Sequence, residues 1–178
     1  MVAADVETVE ARLRSLIHSV PDFPEYGVVF RDITPLLADA DAFRLAVETM
    51  AAVAPDAEAV VGIESRGFIF AAPVAFALGA GFVPVRKLGR LPRPTEREAY
   101  DLEYGANTVE MHIDAIRPGQ RVLLVDDVLA TGGTMRAAAR LVERLGGAVV
   151  GIAVLVELAG LHGRDLLEGY PTTSIVTY

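Results

Sequence analysis

The chain has 178 residues, of which 52% are hydrophobic and 22% charged, and it contains no cysteine. This length predicts one domain with a proper core, and the lack of cysteine excludes disulfides, thiolate metal sites and a cysteine nucleophile. The formal charge of −8 argues against a general nucleic-acid binder, which needs a basic face. No signal-peptide pattern opens the chain and its apolar runs are broken by Pro and Gly, so we expect a cytoplasmic protein without membrane contact.

The first elements in chain order are helical. Apolar residues at helical spacing predict an amphipathic helix over 5–18, followed by a Pro-rich, aromatic segment over 21–35. Asp39 or Asp41 can cap a second helix. The apolar face of that helix is predicted to contain Phe43, Val47, Met50 and Val53.

An alternation of strands and helices follows. Strands are predicted at 59–63, 82–86, 121–125 and 148–158, and helices at 67–78 and 134–145. Strands that are apolar throughout and separated by helices predict an α/β fold with a parallel sheet covered on both faces. Ligands of such sheets bind at the carboxyl ends of the strands. The residues predicted at those ends are Glu64, Arg86, Asp126 and Leu158.

Residues 88–116 interrupt this alternation. The stretch LGRLPRPTEREAYD is polar and contains two prolines, so it predicts no core element. In TVEMHIDAI, Val109 and Met111 alternate with Glu110 and His112, which predicts an antiparallel strand with one solvated face. We interpret the region as a mobile hairpin that folds over the active site as a lid.

The most informative motif is VLLVDDVLATGGT at 122–134. It predicts a buried strand, an acidic strand end, a small-residue loop and a helix beginning near Thr134. Gly132 and Gly133 leave room for a phosphate beside backbone amides, and the helix start adds free N–H groups and a favourable dipole. Thr131 and Thr134 supply hydroxyls.

Two carboxylates precede that loop. Asp126 and Asp127 would repel a phosphate, but they can accept hydrogen bonds from ribose hydroxyls. An anion site and a diol site in one motif predict binding of a ribose 5-phosphate. A Walker A loop requires a lysine that is missing here, and a Rossmann fingerprint requires G-x-G-x-x-G, which does not occur in this motif.

A second loop, Glu64-Ser65-Arg66-Gly67, lies between a predicted strand and helix. Gly67 opens access to the backbone, and Arg66 offers a planar fork of donors suited to phosphate. A third group, Arg86 and Lys87, closes the next strand, where two phosphates would need positive neighbours.

These motifs carry a family resemblance. The stretch 122–134 resembles the phosphoribosyl pyrophosphate signature of the type I phosphoribosyltransferases. Three more stretches resemble the adenine phosphoribosyltransferases: FPEYGVVFRDITPLL at 23–37, GIESRGFIFAAPVA at 62–75, and VPVRKLGRLPRPT with YDLEYG at 83–105. The resemblance implies a Rossmann-like parallel sheet flanked by helices in a single domain over 1–178. It also implies an N-terminal base-binding hood at 1–37 and a flexible hairpin lid at 88–107.

The resemblance also assigns roles to residues. The sugar and its 5′-phosphate are assigned to Asp126, Asp127 and the 130–134 segment, that is Ala130, Thr131, Gly132, Gly133 and Thr134. Pyrophosphate contacts are assigned to Glu64, Ser65, Arg66, Arg86 and Lys87, with a cis peptide bond between Glu64 and Ser65. Adenine contacts are assigned to Val29, Phe30, Arg31 and Leu158. Lid contacts are assigned to Arg90 and Tyr104.

The implied reaction is transfer of the phosphoribosyl group from phosphoribosyl pyrophosphate to adenine, giving AMP and pyrophosphate. Positive charge develops on the ribose as the bond breaks, and the lid residue Glu103 is the candidate acid/base. Mg²⁺ would arrive with the substrate's diphosphate and ribose oxygens rather than in an all-protein site. In the family that this chain resembles, the basic pair that corresponds to Arg86 and Lys87 reaches across a dimer interface, so the resemblance implies a homodimer. The alternatives are a transferase for another purine or for orotate, and a regulatory protein that senses phosphoribosyl pyrophosphate.

Overall fold

A computed structural model describes residues 3–101 and 106–178, with side chains described for 8–100 and 107–178. The helices in those ranges are α1 (Ala3–Arg14), α2 (Thr34–Ala38), α3 (Ala40–Ala51), α4 (Arg66–Leu78) and α5 (Gly133–Arg144). The strands there are β1 (His18–Pro21), β2 (Val29–Asp32), β3 (Ala59–Ile63), β4 (Gly81–Lys87), β5 (Thr95–Asp101), β6 (Ala106–His112), β7 (Arg121–Leu129), β8 (Ala148–Glu157) and β9 (Thr172–Thr177). Two short 3₁₀ helices, η1 (Ala159–Leu161) and η2 (Gly163–Leu167), follow β8.

The chain forms two compact units, Met1–Glu48 and Thr49–Tyr178. The larger unit contains a seven-stranded sheet of order β5-β6-β4-β3-β7-β8-β9. Strands β4, β3, β7, β8 and β9 are parallel, and β6 and β5 are antiparallel additions at one edge. The predicted α/β fold with a mostly parallel sheet is therefore confirmed, whereas the sequence analysis made no prediction of β9.

Helices cover both faces of this sheet, and strand β3 shows how. Val61 and Ile63 point into a core cluster shared with buried residues of α5 such as Ala138. Gly62 points the opposite way, where an added Cβ would lie 2.6 Å from the Cβ of Ala71 in α4. Because side chains alternate along a strand, α4 and α5 lie on opposite faces.

The hairpin region corrects two sequence-based expectations. Thr95–Asp101 is a strand of the seven-stranded sheet, although its polar composition predicted no core element. Glu110 is 1% exposed, although the alternation placed it on the solvated face. Ile113 is 53% exposed, although the same alternation placed it with Val109 and Met111 on the apolar face. Carboxylates that accept hydrogen bonds or pair with arginines are buried in this hairpin. A pattern of hydrophobic residues cannot predict the burial of such charged side chains.

The N-terminal unit also differs from prediction. The helix predicted over 5–18 ends at Arg14, and His18–Pro21 pairs as an antiparallel strand with Val29–Asp32. Pro21 disfavours helical geometry at the residue before it, which is consistent with an extended segment there. Asp39 caps α3 by accepting a hydrogen bond from the Ala42 amide at 2.9 Å.

Candidate active site

A cleft of about 230 Å³ lies at the carboxyl ends of β3 and β7, beside the start of α5. It brings together many of the residues selected from the sequence. Those that line it are Glu64, Lys87, Asp126, Ala130, Thr131, Gly132, Gly133 and Thr134. Tyr100 of β5 also lines it, and the sequence analysis did not select that residue.

The loop 130–133 and the first turn of α5 form one wall of the cleft. The helix begins at Gly133, one residue earlier than predicted, and its N-cap is Gly132, with φ +82°. Gly132 has no side chain with which to cap the helix, so the first amides of α5 are left for another acceptor. These amides and the positive end of the helix dipole favour an anion at this wall.

The structure gives a second reason for glycine at position 132. The sequence analysis attributed the glycine to space for a phosphate. In the structure, a Cβ on Gly132 would overlap the carbonyl oxygen of Gly163 and lie 3.0 Å from the carbonyl carbon. The missing side chain therefore permits packing against protein backbone, and the positive φ also favours glycine.

The two acids lie within β7, because that strand continues to Leu129 instead of ending at Val125. Asp126 is half-buried and lines the cleft. Asp127 is 5% exposed, and its Oδ2 lies 2.8 Å from Nη2 of Arg66. The amide of Asp127 also donates to Oδ1 of Asp126 at 2.8 Å. The acids therefore have different surroundings.

Those surroundings separate the two ionisations. Burial raises the pKa of Asp126 well above its ordinary value, and the charge of Asp127 raises it further. Burial also raises the pKa of Asp127, but the Arg66 guanidinium opposes that shift. Asp127 is therefore the partner that keeps its charge, and Asp126 is the one that takes up a proton more readily.

The start of α4 packs tightly on this acidic pair. An added Cβ on Gly67 would lie 2.5 Å from Oδ1 of Asp126, so a side chain there would displace the carboxylate. Ser65 precedes the helix with φ +81°. The predicted cis bond between Glu64 and Ser65 is wrong, since the cis bond of the described residues is Phe23–Pro24; a positive φ at Ser65 makes the turn instead.

Glu64 holds the end of β4. Its Oε1 accepts from Nη2 of Arg86 at 2.6 Å and from Nε at 3.2 Å, and its Oε2 accepts from the Lys87 amide at 2.7 Å. Burial raises the pKa of Glu64, but the Lys87 amide and the Arg86 guanidinium outweigh it and leave the pKa below its ordinary value. The charged carboxylate therefore fixes the direction of the Arg86 side chain.

The same support extends to Arg90. Nη1 of Arg86 donates to the Arg90 carbonyl at 3.1 Å, and the amides of Arg90 and Leu91 donate to Oε1 of Glu110 at 2.9 and 3.0 Å. Thr95 Oγ1 donates to the other oxygen of Glu110 at 3.0 Å. Glu110 was missed as a supporting residue, and a glutamate in an alternating strand carries no signal that would have revealed it.

The residues assigned to the base lie in both units. Val29, Phe30 and Arg31 are on β2 of the N-terminal unit, where the Phe23 and Phe30 rings meet edge to face with centroids 5.2 Å apart. Leu158 follows β8 in the larger unit, and its amide donates to the Leu129 carbonyl at 2.9 Å. Glu103 and Tyr104 lie outside the described residues.

Comparison with known proteins agrees with this geometry. The family described as "Phosphoribosyl transferase domain" matches residues 37–175. The adenine phosphoribosyltransferase of Thermobifida fusca is 53% identical over 178 residues, covering 99% of each chain. That of Clostridium perfringens is 54% identical over 168 residues, covering 93% of this chain and 98% of the relative.

Solved structures show the same likeness. The adenine phosphoribosyltransferase of Rhodothermus marinus superposes with a TM-score of 0.92 at 52% identity, covering 97% of this chain and 99% of that one. The Saccharomyces cerevisiae enzyme, complexed with an imino-altritol bisphosphate and adenine, gives 0.89 at 35% identity, covering 95% and 99%. The chain therefore belongs to the adenine phosphoribosyltransferase family.

Proposed function

We propose that the protein transfers the 5-phosphoribosyl group of phosphoribosyl pyrophosphate to adenine, giving AMP and pyrophosphate in purine salvage. The observation that carries the proposal is the cleft in which the start of α5 and the carboxylate of Asp126 face the same space. The first suits an anion and the second suits a diol, which is the chemistry of a ribose 5-phosphate. Family membership supplies the identity of the base.

The 5′-phosphate is proposed to bind the amides of the loop 130–133 and the first turn of α5, with the hydroxyls of Thr131 and Thr134. The ribose hydroxyls are proposed to donate to Asp126 and Asp127. Asp127 is shared with Arg66 at 2.8 Å, so the guanidinium keeps one acceptor charged while the sugar binds.

The pyrophosphate is proposed to bind Ser65, Arg66, Arg86 and Lys87. Glu64 is proposed to orient Arg86 and the backbone of Lys87 rather than to contact pyrophosphate, because a carboxylate repels phosphate and this one already accepts hydrogen bonds from both residues. Because Arg86 is already held in position, little reorganisation energy is needed for it to stabilise the negative charge that develops on the leaving pyrophosphate.

Val29, Phe30, Arg31 and Leu158 are proposed as the residues that contact adenine. Backbone groups of β2 would read the edge of the base, and Leu158 would pack on its face. Relatives support a purine as the base: the Giardia lamblia enzyme, 38% identical, was solved with 9-deazaadenine. The S. cerevisiae enzyme was solved with adenine.

The chemical step is proposed to use Glu103. As the bond to pyrophosphate breaks, the ribose ring gains positive charge, and a nearby carboxylate can offset that charge or take the N9 proton of adenine. Arg90 and Tyr104 are proposed as lid contacts to phosphate or sugar. Closure of the lid would exclude water, which otherwise hydrolyses the activated ribose.

Mg²⁺ is proposed as the cofactor, held mainly by the diphosphate and ribose oxygens. The residues fit this arrangement, because Asp126 lines the cleft and a carboxylate offers the hard oxygen atoms that Mg²⁺ prefers. No cluster of three metal-binding side chains occurs among the described residues. Bound there, the ion would neutralise charge on the leaving pyrophosphate.

A homodimer in the cytoplasm completes the proposal. On α4, Ile69 is 40% exposed and Phe76 is 89% exposed, and residues seven apart share one helix face. Such a stripe suits a twofold contact with a second copy. Light scattering should give a dimer mass, and Phe76→Glu should shift it toward the monomer. Among the described residues no helix is long and apolar enough to span a membrane.

The deciding experiment is a set of initial rates with phosphoribosyl pyrophosphate, Mg²⁺ and one base at a time. Adenine should be used at least tenfold faster than hypoxanthine, guanine or orotate, and a chelator should abolish the rate. A faster rate with hypoxanthine or orotate would move the protein to another transferase class. Tight binding of phosphoribosyl pyrophosphate without turnover of any base would favour a regulatory sensor.

A further inference from the structure

Gly163 lies outside the sequence motifs described above, yet it packs against the loop 130–133. Gly163 is the first residue of η2 and is buried. A Cβ on it would overlap the carbonyl oxygen of Ala130 and lie 2.8 Å from the Gly132 nitrogen and 2.9 Å from the Ala130 carbonyl carbon. All three atoms belong to the backbone of the loop that leads into α5.

The contact is reciprocal. An added Cβ on Gly132 would lie 3.0 Å from the carbonyl carbon of Gly163 and 3.2 Å from its Cα. Two glycines therefore allow two backbone segments to pack directly on each other. Gly132 also has a positive φ, whereas Gly163 does not, so at Gly163 the requirement for glycine is one of space alone.

The segment that carries Gly163 is joined to β7 at its start and is ordered by its own backbone hydrogen bonds. The amide of Leu158 donates to Leu129 at 2.9 Å, the amide of His162 donates to Ala159 at 3.1 Å, and the amide of Asp165 donates to His162 at 3.1 Å. Leu167, at the other end of η2, is 2% exposed. A methyl group on Gly163 would therefore push on the loop 130–133 rather than into solvent.

We propose that Gly163 is a positioning residue for the phosphate-binding loop, acting through the backbone of Ala130 and Gly132. The inference rests on the proposed function, because it assumes that the loop 130–133 holds the 5′-phosphate. In this proposal Gly163 of η2, thirty positions after Gly133, sets where the first amides of α5 point.

The size of the effect follows from the distances. Ordinary contact begins near 3.4 Å, and a methyl on Gly163 would lie 2.8 Å from the Gly132 nitrogen and closer still to the Ala130 oxygen, so the loop would have to shift by about 1 Å or more. A misplacement of about 1 Å can cost about 10²-fold in catalysis. Phosphate contacts are made in ground and transition states alike, so the loss should appear mainly in KM for phosphoribosyl pyrophosphate.

The test compares Gly163→Ala with Gly160→Ala and with the wild type. Gly160 lies in η1, and a Cβ there meets nothing within 4 Å, so it is the matched control. We expect KM for phosphoribosyl pyrophosphate to rise at least tenfold in Gly163→Ala, with kcat changed less, and to stay within twofold in Gly160→Ala. A Gly163→Ala enzyme with wild-type KM overturns the inference, even if its melting temperature falls.

The two proposals fail in different ways. A wild type that forms no AMP from adenine sinks the proposed function, whereas an active Gly163→Ala with unchanged KM sinks the role of Gly163 alone. If Gly163→Ala does not fold, hydrogen exchange on the wild type decides. Saturating AMP should slow exchange both at residues 130–134 and at residues 163–165, and protection confined to 130–134 contradicts the coupling.

Discussion

Replacing Asp126 by asparagine should stabilise the protein while it damages the use of phosphoribosyl pyrophosphate. Asp126 is confined between Asp127, whose amide is 2.8 Å from its Oδ1, and the start of α4, where no Cβ fits at Gly67. Asparagine has the same shape and keeps an oxygen for the Asp127 amide. It also removes a carboxylate charge that burial and the neighbouring Asp127 charge both disfavour, which are the two causes that raise the pKa of Asp126.

The sign of the pH dependence follows from that raised pKa. The folded protein binds this proton more tightly than the unfolded chain, in which an aspartate titrates near 3.9. The free energy of unfolding of the wild type therefore falls as pH rises from about 4 toward the raised pKa, and Asp126→Asn avoids that fall. The advantage of the variant should be largest at neutral pH and shrink toward pH 4.

Single stabilising substitutions commonly contribute about 0.5–2 kcal/mol. For a domain of this size each kcal/mol moves the melting temperature by about 2–4 °C. Calorimetry of wild type and variant from pH 4 to 8 measures the effect, with Asp114→Asn as control. Asp114 is an exposed partner of Arg93, so its replacement should leave the melting temperature nearly unchanged. An Asp126→Asn variant that melts at or below the wild-type temperature at pH 7 would refute the claim that the charge of Asp126 destabilises the folded protein.

Other predictions test the supporting structure and the chemistry. Glu110→Ala removes the charged acceptor of the Arg90 and Leu91 amides and should lower the free energy of unfolding by about 1–3 kcal/mol in urea titrations; a loss below about 0.5 kcal/mol would contradict a stabilising role for these hydrogen bonds. The pKa of Glu157 is lowered chiefly by Arg164, so its stabilisation is present above the ordinary glutamate pKa and lost as pH falls through the lowered value. Glu157→Gln should flatten that acid limb, and an unchanged limb would count against it. Glu103→Gln should slow single-turnover AMP formation by about 10²–10⁴-fold, and a change within threefold would make Glu103 a bystander.

The sequence predicted the parallel part of the sheet well because those strands are buried on both faces. Val60, Val61 and Leu123 have no exposed surface, so each strand appears as an uninterrupted apolar run. Small-residue loops at the ends of such runs then indicate where a ligand binds. The residues around the cleft could be selected for that reason.

Strand β5 was not predicted as part of the core because a charged side chain, rather than an apolar one, is buried on it and paired with arginines. Glu98 is 8% exposed and pairs with Arg144 and, at 2.9 Å, with Arg140 of α5. These partners lie more than forty residues later, and no local pattern announces them. Polar residues that are buried in pairs look like a solvated loop in the sequence.

The glycines show a second limit of sequence reasoning. Gly132 was selected correctly as a position that needs glycine, but the atom that excludes a side chain is the carbonyl oxygen of Gly163. Gly163 itself lies outside every motif and was not selected. Backbone packing between distant segments depends on the fold, and residue identity alone cannot reveal which glycines meet.

The most direct test of the account is a crystal structure of the protein with AMP bound. The account predicts that the 5′-phosphate lies against residues 130–134, within hydrogen-bond distance of the first amides of α5, and that the ribose hydroxyls face Asp126. An AMP molecule whose phosphate lies elsewhere in the protein would contradict it.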